Sequence, residues 1–449
     1  MIRFHFFKFS LAIAMLSVAH VYADESAGNF RVITLEQAYD LTLATDQSIR
    51  IAALEIRKAN LQPWSALTRV APSITGGLGF HRGEDTPTSP AILTGSDGRS
   101  FSVGTTRSES RTANLNFSQT LIDFGVIPAF RLGKLTQLAA KLQYRFTTRE
   151  TLFGVAKAYY LVLKDQSIVA INRQTVDLAE QQLSLSQKRL DVGDVARLDV
   201  SRARATLEDA RTALIQNENT LAIDRNALGN ILNFGGDTGF KLVEPDSAPI
   251  SKEPFDDVLS RAFANREDFR VAKIAIDQDV ARRNVIIGQY APSLAATASE
   301  GFTNVRGTSG DRQSWAAGVA VDIPFFTGGK REIDLATADY QISQTRLAFE
   351  KTTKTLQQEL KAAWLQIGTA LATLKSLHAE VEANLQNYND LQAQYQAGTA
   401  TSLDVQSALR DLNNSRTSLT TQSYDFQTAL RDLQRAQAIF QEERLQKLR

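Results

Sequence analysis

Two stretches of this chain are near copies of one another, "VGDVARLDV" at 192–200 and "AGTATSLDV" at 397–405. Aligning their Leu-Asp-Val triplets gives an offset of 205, and Ala203/Ala408, Leu207/Leu412, Arg211/Arg416 and Thr212/Thr417 then coincide. Upstream, Ala-Pro-Ser begins at Ala71 and again at Ala291, an offset of 220 that also pairs Ala44 with Ala264 and Arg50 with Arg270. The 15-residue change of offset is absorbed in the loop after the first Ala-Pro-Ser. A period this long excludes a solenoid, whose repeats run ~20–50 residues. The chain folds as two copies of one large unit.

Proline placement shows what the unit contains. All ten prolines fall at 63–128, 245–254, 292 and 324, leaving 129–244 and 325–449 free of them. Both reaches are rich in Ala, Leu, Gln, Arg, Glu and Lys, which lose little on entering a helix. Apolar residues recur at three and four, as in Ile168, Ile171, Val176, Ala179, Leu183 and Leu190, the seam of packed long helices. Gly193 and Gly398 then sit where a helix is stopped by a left-handed residue. The two copied stretches are therefore hairpin turns. Residues 331–397 as one helix reach ~100 Å, and ascending pieces at 194–231 and 255–290, stacked end to end, reach ~110 Å. The Gly/Pro-rich segment between those pieces reads as a belt around the middle.

The segment after each Ala-Pro-Ser has period two. Ala113, Leu115, Phe117 and Leu121 alternate with Asn114, Asn116 and Ser118, and Trp315, Ala317, Val319, Val321 and Ile323 alternate with small residues and Asp322. Their partners, 73–81 and 293–302, carry Ile74, Leu78, Leu294 and Phe302 on one side. Each strand is close to the ~9–11 residues that cross a bilayer at a tilt, and apolar-out, polar-in alternation marks a membrane barrel. A soluble hairpin with one wet face has the same pattern. No run of ~18 apolar residues is present, so any insertion uses strands. Four strands cannot close a barrel, which needs about eight, and open edges cannot sit in lipid. A dimer would supply eight strands and a trimer twelve.

The N-terminus predicts the compartment. Arg3 and Lys8, the apolar "LAIAMLSVA" and the small-residue site ending at Ala23 make 1–23 a signal peptide. With no Cys anywhere, the mature chain carries no lipid anchor, disulfide or thiolate site. Lys+Arg 50 against Asp+Glu 49 gives no basic footprint for nucleic acid. Beyond the leader only His81 and His378 remain, and both Met lie within the first 15 residues, so a thioether or imidazole metal centre has no ligands. Glu442 and Glu443 read as solvated surface on a charged terminus. Pro324, Phe325 and Phe326 read as a strand-to-helix corner or an interfacial aromatic anchor. There is no phosphate loop and no nucleophile elbow, and the chain is expected to be neither an enzyme nor a cofactor carrier.

The whole chain beyond the leader resembles the outer membrane efflux protein family, the TolC-like exit ducts of tripartite pumps and type I secretion systems. The resemblance is carried by the two Ala-Pro-Ser strand starts, by "LIDFG" at 121–125 echoed by "FFTGG" at 325–329, and by the two turns with Gly six residues before Asp-Val. It implies a mixed α+β membrane protein: a homotrimer with a 12-stranded β-barrel, four strands per chain, continued by a long α-helical coiled-coil barrel in the periplasm. The implied chain divides into a first repeat, 24–250 (helix, hairpin 73–121, long helix, turn 192–200, helix, equatorial segment), and a second, 251–449 (helix, hairpin 293–323, long helix, turn 397–405, helix). Twelve helices at ~9.5 Å spacing make a ring ~36 Å across with a lumen near ~26 Å.

By the same resemblance the chain works in the outer membrane, in contact with its lipid, with a periplasmic adaptor (membrane fusion) protein and an inner-membrane transporter of the RND, ABC or MFS type. Its expected cargo is small molecules. The alternatives are a type I protein secretion outlet and a periplasmic coiled-coil scaffold without a pore. The periplasmic gate would use Asp199 and Asp404, as a carboxylate ring holding cations, and Tyr395. Without such a ring, each Asp simply lies in a helix's first turn, favoured by the dipole. Adaptor hairpins would dock at Val192, Gly193 and Asp194 and at Ala397, Gly398 and Thr399. Two positions depart from the family pattern. Ala400 stands where an Arg often follows the second Gly, and Ser407 where a second acid follows Asp404, which implies a weaker closure than a salt-bridged one.

Overall fold

A computed structural model describes residues 31–85, 92–94, 96, 99–102, 106–235, 239–246, 253–306 and 312–447; the expected leader, 1–23, lies outside them. The chain begins with β1 (Arg31–Ile33), α1 (Leu35–Thr45), α2 (Gln47–Asn60) and α3 (Gln62–Leu67). Strands β2 (Ser73–Asp85) and β5 (Thr106–Ile122) come next, with the short β3 (Ile92–Thr94) and β4 (Ser100–Ser102) between them. Then come α4 (Val126–Asp191), α5 (Arg197–Ile231), β6 (Phe240–Leu242), α6 (Phe255–Asn265) and α7 (Glu267–Gly288). The chain closes with β7 (Ser293–Arg306), β8 (Arg312–Asp322), α8 (Lys330–Gln396), α9 (Ser402–Ala436) and α10 (Glu442–Lys447).

Elements recur at the offsets seen in the sequence. From α1 to α6 and from β2 to β7 the shift is 220, and α5 and α9, each of 35 residues, are 205 apart. Local chemistry sets the boundaries. Thr34 and Gln37 form a capping box at α1, and the Asp46 carboxylate accepts from the Ile49 N–H at the start of α2. Pro63 falls in the first turn of α3, where its missing N–H is harmless. Gly133 lets α4 meet that turn, since a Cβ there would stand 2.6 Å from the Pro63 nitrogen.

Helices α4 and α8, of 66 and 67 residues, are two rods of ~100 Å. Both α7 and α9 pack against both rods, whereas α2 and α5 pack against α4. The stacking is thus α7 on α9 and α2 on α5, which corrects the expected union of 194–231 with 255–290. The physical reason is that α2 and α5 share α4 as their rod, whereas α7 and α9 both lie against α4 and α8. Residues 22 and 35 long respectively, α7 and α9 together reach ~86 Å.

The sheet is antiparallel in the order β2-β5-β7-β8, and a parallel β1–β6 pair lies at the middle of the rods. A large buried apolar cluster lies at the same level. Tyr39, Leu152, Tyr159, Leu228, Phe240 and Phe440 are buried together, and the Tyr159 hydroxyl donates to the Ile33 carbonyl (2.9 Å) and accepts from the Val243 N–H (3.0 Å). A second buried cluster joins Val258 and Ala262 of α6 to Leu360, Ile367, Leu430 and Leu433 of α8 and α9.

Beside these lies a buried ion network that no local sequence pattern announces. Arg149 of α4 is 2% exposed and bonds Glu267 of α7 at 2.7 Å, Glu442 of α10 at 2.8 Å and the Phe440 carbonyl at 2.5 Å. Arg145 adds a 2.5 Å bond to Glu442. Burial alone would raise the Glu442 carboxyl, yet bonds from Arg149 and Arg145 hold it below its ordinary pKa. Glu443 is solvated as expected, but Glu442 is not. The positive-φ turn at Ala438 and Gln441 folds the terminus back so that α10 docks, with Arg444 bonded to Glu36 and Asp40 of α1.

Two outcomes are expected. Arg149→Met leaves Glu267 buried with little compensation and should cost about 3–5 kcal/mol, seen as a lower thermal midpoint of the helical signal; adding Glu267→Leu should recover most of it. The second concerns Asp165 on α4, 6% exposed, with one carboxyl oxygen unbonded. Burial, then a hydrogen bond with Asp224 of α5, pushes its pKa up to about 7. The folded chain keeps a proton the unfolded chain releases near ~3.9, so stability falls as pH rises from there toward 7. Midpoints measured from pH 5 to 8 should decline in the parent and decline less in Asp165→Asn.

Candidate functional site

Two regions carry features beyond what folding requires, the four-stranded sheet and the paired turns at the far ends of the rods. In the sheet, register fixes the faces. Leu115 stands opposite Gly76 of β2 and Glu300 of β7, and Glu300 opposite Trp315 of β8. The same face carries Ile74, Leu78, Phe117 and Val319, with Leu78 90% and Trp315 80% exposed. The opposite face carries Thr75, Asn114, Asn116, Ser118, Ser299 and Ser314. One side of the wall is apolar with no protein against it; the other is small and polar. Strands β2 and β8 end the sheet unpaired on their far sides.

At the turns both rods end in the same backbone motif. Gly193 (φ 85°) sends its N–H to the Leu190 carbonyl and Asp194 to that of Arg189; Gly398 (φ 79°) bonds Tyr395, and Thr399 bonds Gln394. These are two Schellman caps, closing the helix with a left-handed Gly. Val192, Gly193, Asp194, Ala397, Gly398 and Thr399 are all exposed. Exposed Leu198 and Leu403 flank them.

Tyr395 is 2% exposed and holds the two rods together. Its hydroxyl shares a 3.1 Å hydrogen bond with Ser186, the Arg189 guanidinium stacks 4.8 Å from its ring, and that guanidinium also donates to the Tyr395 carbonyl. Arg189 additionally lies 4.0 Å from Asp194. Sequence reasoning misses both Ser186 and Arg189. The only signal is a Lys-Arg pair in a helix's last turn, common enough as a dipole partner.

The two aspartates differ. Asp404 forms a capping box with Thr401, accepting from its hydroxyl at 2.6 Å and its N–H at 3.0 Å. The Thr401 hydroxyl first, then its backbone N–H, hold this carboxyl below its ordinary pKa. In the first repeat the N-cap is Ala196, which cannot reciprocate. Asp199 is half-buried, and its carboxylate has no hydrogen-bond partner among the described residues. Within the chain the two therefore differ in setting: one carboxylate caps its helix and the other is uncommitted. No group of three or more His, Asp or Glu able to hold a metal occurs among the described residues.

A family model for the outer membrane efflux protein matches residues 38–233 and 258–438. Outer membrane efflux protein BepC of Brucella suis is 24% identical over 345 residues, covering 76% of this chain and 71% of the relative. Outer membrane protein TolC of Vibrio cholerae is 23% identical over 423 residues, covering 92% and 90%. The crystal structure of the Campylobacter jejuni CmeC outer membrane channel superposes with a TM-score of 0.73 at 18% identity, covering 92% of this chain and 88% of that one. These likenesses give the chain the fold of such channels, a four-stranded share of a barrel set on long paired helices.

In planar-bilayer recordings, Arg189→Gln should raise conductance severalfold by freeing the end of α8 from α4. Asp199→Ala should weaken cation preference, whereas Asp404→Ala should chiefly loosen the start of α9 by removing the acid of its capping box.

Proposed function

Because this chain belongs to the outer membrane efflux protein family, we propose that three copies form the outer-membrane exit duct of a tripartite export system. It is a passive conduit, not an enzyme, and carries small molecules handed over from an inner-membrane transporter through a periplasmic adaptor. The observation that carries this reading is the two-faced sheet with open edges. An apolar face turned outward matches lipid, a small polar face turned inward matches a water-filled lumen, and unpaired edges in lipid are too costly to persist. Pairing β8 of one copy with β2 of the next removes every edge, and three copies give twelve strands.

Further support comes from the helices. Ile333, Tyr340 and Leu347 are exposed on α8 at seven-residue spacing, and Ile51, Leu54, Ile215 and Ile223 are exposed on α2 and α5. Seven-residue spacing is the seam of a coiled coil, and these faces are where neighbouring copies would pack. Phe124, Phe325 and Phe326 are exposed at the corners between sheet and rods, a level where barrels carry aromatic girdles. The transporter partner falls in the RND, ABC or MFS classes, and the adaptor would dock on the two kinds of exposed turn.

Val319→Arg, on the apolar face, should cost about 2–4 kcal/mol near the bilayer midplane, while Asn116→Arg on the opposite face should be tolerated. The readout is heat-modified trimer migration after detergent extraction. Equal damage from both changes, or a wild-type chain soluble without detergent, would replace the duct with a periplasmic scaffold.

A further inference from the structure

A carboxylate interrupts the apolar face. Glu300 lies in the middle of β7 on the same side as Leu115 and Trp315, and the side-chain amide of Gln313 on β8 donates to it at 2.7 Å. A carboxylate facing lipid is costly unless something polar reaches it. Beside it the wall is hollow. Gly76 and Ala113 leave a groove of about 600 Å³, walled by Leu78, Leu115 and Phe302 and edged by Glu300 and Gln313.

The groove leads to a basic rim. Two register steps toward the end farthest from the rods, Arg111 is exposed on the same face opposite Phe80 and Asn304, and one step further Arg82 pairs with Glu109 at 3.4 Å. Arg306 stands opposite Glu109 in that row, and Arg111 and Arg82 are both exposed at the rim. Among the described residues Arg111 has no carboxylate partner. From Glu300 to Arg111 is roughly 14 Å along the strand, ~10 Å along the membrane normal at the usual tilt. The order down the wall is a cationic rim, then an apolar groove, then a hydrogen-bond acceptor set inside the hydrocarbon. The groove is centred on β5 and β7, internal strands of the sheet, so closing a barrel through β2 and β8 leaves it open to lipid.

We propose that this groove binds a phosphorylated glycolipid with hydroxylated acyl chains. Its phosphate pairs with Arg111 and Arg82, one chain fills the hollow over Gly76 and Ala113, and a chain hydroxyl or amide N–H donates to Glu300. A phospholipid with plain chains satisfies the rim but offers nothing to Glu300. The site rests on the reading of the apolar face as the outside of a membrane barrel.

The test is native mass spectrometry of the full-length trimer in detergent, titrated with lipid A and, in parallel, with phosphatidylglycerol of matched chain length. One lipid A per protomer is expected, with affinity about tenfold above phosphatidylglycerol, the value of one well-made hydrogen bond. Glu300→Leu should abolish that preference while phosphatidylglycerol binding stays, and Glu300→Gln, which keeps an acceptor, should retain it. Arg111→Gln, at the exposed rim, should weaken both lipids. Equal binding of the two lipids, or a preference unchanged in Glu300→Leu, overturns the proposal. A chain that needs no detergent overturns the barrel reading with it, whereas a detergent-dependent trimer without lipid preference removes only the groove.

Discussion

An unpaired strand edge in hydrocarbon is the constraint on which the rest of this architecture depends. Each buried N–H or C=O without a partner costs several kcal/mol, and β2 and β8 each present a full row of them. No rearrangement within one chain can pair them, because four strands are too few to close on themselves. The sheet therefore has no stable existence in a membrane apart from its copies. The rods share the dependence, because their stripes at Ile333, Tyr340 and Leu347 stay exposed in the single chain.

The equatorial region serves a different end. Here α4 meets α7, α9 and α10 through Arg149, Glu267 and Glu442, in a place where geometry must be kept while the ends of the rods differ in chemistry. Buried ion pairs add little net stability compared with apolar packing. They do fix which groups meet, because any sliding of α7 along α4 would strand a charge. A similar arrangement joins Arg435 to Glu150 of α4 and Glu359 of α8. The rods are thus registered at their middle, and at the tip they are joined by Ser186 and Arg189 on Tyr395 and by apolar neighbours.

Much of this is legible in the sequence because it rests on local rules. The Gly193 and Gly398 turns, the proline-free rods and the alternation of Leu115 and Val319 each follow from backbone sterics or periodicity, and duplication lets each half check the other. The parts that are not legible depend on partners distant in the chain. Glu442 reads as a surface acid until α10 folds back onto residues nearly 300 positions earlier. The union of α7 with α9 depends on both packing against the same two rods, and Glu300 can be placed on the apolar face only once the β5–β7 register is known. Asp199 and Asp404 look alike in sequence, and the residue that separates them is the cap three positions before, Ala196 against Thr401.

That single difference in capping bears on how many kinds of contact the far end offers. If the two repeats were identical, three copies would present six equal loops, and an encircling ring of six identical subunits could meet each in the same way. With a locked acid beside one loop and an uncommitted acid beside the other, the true symmetry is threefold. Six identical visitors would then fall into two alternating classes, three held by one set of interactions and three by another. A partner that met every loop would have to fit both settings.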